Sequence, residues 1–188
     1  MARLPYVDPD KASPAVKKIF AKLPMHLNIF RMVANSETTF RPFLGLGTAL
    51  LSSETFDPKL RELVILHVGK ISNGNYEWTQ HVPIAQAVGA SDEQIKAIEA
   101  GDVEAGCFDP VERACLAFTT EVAASCRASD ATFAAAREHL SPAQIVELIT
   151  IIGFYRMVAM LTEATEVDID AAAGTKIVDA LRRTDLSH

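Results

Sequence analysis

Asp57-Pro58, Asp109-Pro110 and Ser141-Pro142 each pair a capping side chain with a proline ahead of a long apolar pattern. A capping oxygen accepts an orphan N–H of the first helical turn, and a proline just inside the start forfeits no hydrogen bond. Each pair therefore marks a helix start. Behind them, Leu60, Leu63, Val64, Val68 and Ile71 form one apolar face, and the runs VERACLAFTTEVAASC and IVELITIIGFYRMVAM continue at helical spacing. No segment alternates with period two for long enough to argue for a sheet, so the class is all-α. Few aromatics and many alanines make the core aliphatic.

The remaining elements follow from the same signals. His26 to Ser53 reads as helical, with an interruption near Asn35-Ser36. SNGN closes the helix after Asp57 with turn chemistry, a new helix runs from about Tyr76 to Val88, and Gly89 stops it. SDEQIKAIEAG opens with a serine cap, DATFAAAREHL gives a further helix, and TKIVDALRR a last short one. Comparing DPKLRELVIL with SPAQIVELIT suggests an internally duplicated helical unit, although the second needs a one-residue slip. The length suits one domain, 1–188, in which residues 1–25 form an extension punctuated by Pro5, Pro9, Pro14 and Pro24 that wraps the body or a partner subunit.

A net charge of −6, with no basic stripe beyond Arg182-Arg183, excludes nucleic acid and an anionic membrane surface as partners. MARLPYVDPDK is no signal peptide, and the most apolar run carries Glu147 and Arg156 and falls short of a spanning length. The expected location is the cytoplasm. Cys107, Cys115 and Cys126 form no CxxC pair and read as free thiols.

The stretch NGNYEWTQH holds the residues most suited to chemistry. In a helix starting near Tyr76, Glu77 and His81 stand one above the other at the i, i+4 spacing, on a side continued by Ile84 and Val88. Loss of water there raises a carboxylate's pKa and suits a shared proton. The same spacing also describes an ordinary surface ion pair or a core histidine satisfied by its neighbour. Tyr76 and Trp78 are candidates for a pocket wall, or for packing alone. Glu62 sits at the edge of the preceding apolar face, and whether it meets Glu77 depends on the crossing angle. No HxxxH, HExxH or GxSxG motif supports a metal site or a serine hydrolase, and Gly45 with Gly47 is a lone GxG without a preceding strand.

The stretches LNIFRMVANS and LRELVILHVGKISNGNYEWTQHVPIAQAVGASDEQIKAI, and above all YEWxxH, resemble the carboxymuconolactone decarboxylase family, which includes the alkylhydroperoxidase D branch. The similarity spans roughly residues 26–165. The resemblance implies an alkylhydroperoxidase D-like helical bundle assembled as a homo-oligomer (dimer, trimer or hexamer), with sites near subunit contacts. In the peroxidase branch a glutamate, a CxxC pair and a histidine relay protons. Carried over, the glutamate is Glu62, the histidine His81, and the two cysteine positions are Gly74 and Glu77. Neither can supply sulfur, so a disulfide cycle is not expected.

The decarboxylase branch implies cofactor-independent loss of carbon dioxide from a small cyclic carboxylic acid, or related proton-transfer chemistry. On that expectation His81 carries the proton, Glu77 is its partner and Glu62 a relay. Tyr76 and Trp78 line the substrate, and Arg61 or Arg156 holds acidic oxygens. No cofactor or metal is expected. The rivals are a thiol-dependent peroxidase and a catalytically idle binding protein of the same fold.

Overall fold

The computed structural model describes residues 1–175. The sequence-predicted helix TKIVDALRR and the Arg182-Arg183 pair lie outside the described residues, apart from Thr175. Among the described residues nine helices follow one another: α1 Pro14–Phe20, α2 Asn28–Val33, α3 Glu37–Ser52, α4 Pro58–Ile71, α5 Asn75–Ala87, α6 Asp92–Ala100, α7 Pro110–Ser125, α8 Asp130–His139 and α9 Pro142–Thr165. No strand occurs among the described residues. The capping signals are used as read. Asp57, Asp109 and Ser141 each accept a backbone N–H of their helix, and Ser91, Asp109 and Ser141 complete capping boxes with Gln94, Glu112 and Gln144.

α4 is the axis of the bundle, in contact with α5, α6, α7 and α9. Its ten residues from Leu60 to Gly69 are all buried, so the one-sided apolar stripe expected from the sequence understates its burial. The helix divides the core in two. Leu60, Val64, Ile65 and Val68 face a large cluster shared with α2, α3 and α9, while Leu63 and Leu66 face a smaller one with Ile95, Ile98, Phe108 and Leu116. Being surrounded, α4 also buries Arg61, Glu62 and His67, and a buried ionic group needs a partner to persist.

His67 shows one consequence. Its Nε2 lies 2.7 Å from Thr120 Oγ1, Nδ1 has no partner, and burial holds the imidazole down to about 4. The unfolded chain takes up a proton near pH ~6.5, whereas the folded chain waits until about 4. Stability from this group is therefore complete above the unfolded pKa and is lost as pH falls towards the folded one. Urea unfolding at neutral and acid pH should show His67→Phe losing about 2 kcal/mol less than the parent between pH ~7 and ~4.5.

The N-terminal segment packs into the body. Val16 and Phe20 of α1 are buried in the main core, and Arg3 N donates to Thr165 O at 2.8 Å. Gly47, in the middle of α3, lets that helix approach α9, because a Cβ there would lie 3.0 Å from the Phe154 ring. The apolar run near the C-terminus lies within α9, which is 24 residues long. By length and composition it is the one helix among the described residues that qualifies as a membrane span. Half of it is buried within the bundle, against α4, α5 and α7, which is the placement of a core helix.

Candidate active site

α4 and α5 form an antiparallel hairpin about Asn73, whose left-handed backbone (φ 52°) makes the turn. Counting outward from that turn explains which side chains meet. Gly69 and Glu77 lie four residues to either side, and a Cβ added to Gly69 would be 3.6 Å from Glu77 Cβ. Glu62 lies eleven residues before the turn and His81 eight after it. At 1.5 Å per residue the offset is about 4.5 Å, which two extended side chains span.

His81 Nδ1 and Glu62 Oε2 are 2.8 Å apart, and both groups are buried. The expected partnership of His81 with Glu77 is thereby corrected: the carboxylate bonded to His81 is Glu62. Side chains lean towards a helix N-terminus, so Glu77 points back at Gly74 and away from His81. A Cβ on Gly74 would collide with Glu77 Oε2. The space beside Gly74, one of the two positions that the resemblance assigns to thiols, is thus filled by the carboxyl group of the other, Glu77.

The dyad is polarised by its surroundings. Arg61 Nε stands 3.6 Å from Glu62 Oε1, and neither atom makes a hydrogen bond, so the contact is one of charge. Arg61 is only 1% exposed and keeps Glu62 company in the interior. An ionised carboxylate can only accept, so the proton between the pair belongs on His81 Nδ1, and Nε2 is the bare nitrogen of the neutral ring. Nε2 makes no hydrogen bond among the described residues. Tyr155 meets the ring edge-on at 5.0 Å between centroids, and burial pushes its phenol up, so Tyr155 remains a donor.

Glu77 has the opposite character. Burial pushes its carboxyl up, against smaller lowering effects from its own backbone N–H, Thr162 and His81. Thr162 Oγ1 is 3.0 Å from Glu77 Oε1 and 3.2 Å from the Val158 carbonyl, yet it has a single hydrogen to share. Directed to Glu77 Oε1, that hydrogen leaves Oε2 as the carboxyl oxygen without a protein partner. Because its folded pKa lies above the unfolded one, Glu77 favours the folded state as pH falls, opposite in sign to His67.

These groups border a cavity of about 100 Å³. Apolar side chains of α2, α3 and α9, among them Phe30, Leu44, Leu51, Phe154 and Val158, form most of its wall. The polar groups are Thr48, Tyr76, Glu77, Gln80, His81 and Tyr155, and no lysine or arginine of the described residues lines it. Thr48 Oγ1 and Glu77 Oε2 are buried without a partner. A larger open groove between α3 and α9 contains no titratable side chain.

The structure sorts the remaining candidates. Tyr76 lines the cavity, donating its hydroxyl to Asp170 Oδ2 at 2.6 Å. Trp78 lies on the other side of α5, packed against the smaller core cluster, because residues 76, 77, 80, 81 and 84 take the cavity face. Arg61 lies behind Glu62 and does not reach the cavity, nor does Arg156 of α9. Thr162, Tyr155, Gln80 and Thr48 escaped the sequence reading. Tyr155 and Thr162 stand seven residues apart on one face of α9, a spacing visible in the sequence but silent about what it faces. Gln80 also pins the chain after α9, donating to Asp170 O and accepting from Ala173 N, both at 3.0 Å.

All three cysteines are free: Cys107 half-buried, Cys115 buried and Cys126 exposed. Burial pushes Cys115 up to about 12. Eleven residues along α7 and its cap separate Cys115 from Cys126, about 16 Å of helical rise, well beyond bridging distance. Among the described residues no group of three or more histidine, cysteine, aspartate or glutamate side chains is placed to hold a metal ion.

Architecture and site together describe an all-α protein of the alkylhydroperoxidase D-like kind. Residues 37–121 match the model of the Carboxymuconolactone decarboxylase family, the family that the YEWxxH stretch resembles. An alkylhydroperoxidase AhpD core structure, from an uncharacterized peroxidase-related protein of Ralstonia eutropha JMP134, shares 19% identity over 98% of each chain, with a TM-score of 0.76. An uncharacterized peroxidase-related protein of Silicibacter sp. TM1040 shares 19% identity over 96% of each chain, with a TM-score of 0.74. The debrominase Bmp8, solved with 2,3,4-tribromopyrrole, shares 17% identity over 96% of each chain, with a TM-score of 0.69. At these identities the likeness is one of fold. No curated protein matches the chain.

Proposed function

We propose that this protein is a cofactor-independent acid–base enzyme that moves a proton at a carbon atom of a small cyclic molecule. Decarboxylation of a small cyclic acid is one reaction of that class. The observation that carries the reading is the 2.8 Å contact between His81 Nδ1 and Glu62 Oε2 at the wall of an apolar cavity. Glu62 orients the ring and stabilises the imidazolium, so that Nε2 takes or returns a proton on the cavity side. Glu77, one helical turn away and held towards its neutral form, donates to an oxygen that gains electron density. In a decarboxylation the carbon–carbon pair would pass into a conjugated carbonyl, and the carbon would recover a proton from the same groups.

Exposed Val146, Ile149 and Met160 on α9, with Leu46 on α3, support self-association as part of this reading. The test is incubation with small cyclic acids and ketones in D2O, with NMR detection of label at carbon or of lost carbon dioxide. Glu62→Gln should lower kcat by about 10²-fold with KM little changed, because the amide no longer dictates which ring nitrogen holds the proton. An unchanged kcat would overturn the proposal. The thiol-peroxidase rival predicts that replacing Cys107, Cys115 and Cys126 together by serine removes activity. The expected result is turnover equal to the parent in the same assay. An idle binding protein would take up ligand without forming product.

A further inference from the structure

Resting on the acid–base reading of the same site, we infer that the substrate enters uncharged, as a ring-sized enolisable ketone or lactone and not as a carboxylate. Size comes first. An apolar cavity of about 150 Å³ accommodates a benzene ring, and this one, of about 100 Å³, accommodates a single small ring without a long substituent.

Charge comes second. A carboxylate entering the cavity would leave its water and find no lysine or arginine among the described lining residues. The nearest cation, Arg61, already faces Glu62 at 3.6 Å from behind the wall. The carboxyl that the wall itself presents, Glu77, is held towards its neutral form by burial and offers an anion no countercharge. A protonated His81, donating through Nε2–H, is the remaining cationic partner for an anion. Once its Nε2–H were committed to a substrate carboxylate, however, the site would have spent its base on binding.

The polar atoms that are left suit a carbonyl compound. Nε2 of His81 is an unoccupied base, and Glu77 Oε2 and Thr48 Oγ1 are buried without partners. Residues 77 and 81 lie one turn apart and both line the cavity, so a guest of one small ring is bordered by the acid and by the base. The step is self-contained. The α C–H bond breaks, its proton goes to Nε2, and its electron pair forms a carbon–carbon double bond. The carbonyl pair then moves onto oxygen, which takes the Glu77 proton. Reversal returns a proton to the same carbon, or to the far end of a conjugated system, giving an isomer with no co-reactant.

The test uses the full chain, with cyclopentanone as probe and cyclopentanecarboxylate as its charged counterpart. In D2O, NMR should show α-hydrogen exchange of cyclopentanone above the buffer rate. That exchange should be lost in His81→Asn and reduced at least about tenfold in Glu77→Gln, with circular dichroism showing both variants folded. Cyclopentanecarboxylate in excess should leave the exchange unchanged. Inhibition by the carboxylate at concentrations where the ketone binds would overturn the inference, as would exchange no faster than in His81→Asn. His81-dependent release of carbon dioxide from a cyclic acid would end this inference and leave the acid–base reading standing. Absence of every His81-dependent reaction would end both.

Discussion

Replacing His81 by alanine is expected to lower turnover by about 10²–10⁴-fold, the range that a positioned acid–base group contributes. The ring stands alone in this role. It is held by Glu62 at 2.8 Å, packed edge-on against Tyr155, and borders the cavity. Alanine removes the base and also the donor that satisfies Glu62, so some loss of stability accompanies the loss of rate. His81→Asn separates the two effects by keeping a donor near Glu62 without a base. Its melting temperature should stay closer to the parent than that of the alanine variant, while its rate falls as far. An active asparagine variant would exclude His81 as the proton carrier.

Arg61→Met should be the most destabilising substitution in α4, by about 3–5 kcal/mol, because it strands the Glu62 carboxylate in the interior. The side chains concerned are 1% and 0% exposed, so water cannot replace the lost cation. Methionine fills much of the same volume and limits the cavity contribution. Chemical denaturation at neutral pH measures the effect. Adding Glu62→Gln to Arg61→Met should recover most of the loss, since the charge that needed company is then gone. If the double variant were no more stable than Arg61→Met alone, the destabilisation would belong to packing and not to charge. The pair also bears on function. A lost counter-charge would let Glu62 take a proton, and the tautomer of His81 would no longer be imposed.

The exchange of sulfur for a carboxyl group gives the site its character. Gly74 provides room and Glu77 fills it, so the place that the family resemblance would assign to two thiols is here occupied by one buried acid. The pairing of that acid with a histidine–carboxylate dyad suits proton transfer to an uncharged guest, and none of the three free cysteines stands beside it.

Much of this was legible in the residues themselves. Asp57-Pro58, Asp109-Pro110 and Ser141-Pro142 start helices because capping is local chemistry, complete within four residues. The Asn73-Gly74 turn and the i, i+4 spacing of Glu77 and His81 are equally local, and they placed both side chains on the cavity face of α5. Trp78 was misplaced at the same level, since it lies on the side of α5 that packs against the smaller core cluster. Which carboxylate holds His81, why Arg61 is buried, and what Thr162 and Tyr155 face depend on helix crossing and on α4 being enclosed from four sides. Those contacts join residues 19 and 85 positions apart. Local propensity determines where each helix begins and which face is apolar. The rotation and depth at which helices meet come from packing the whole core at once, and the site is made at those meetings.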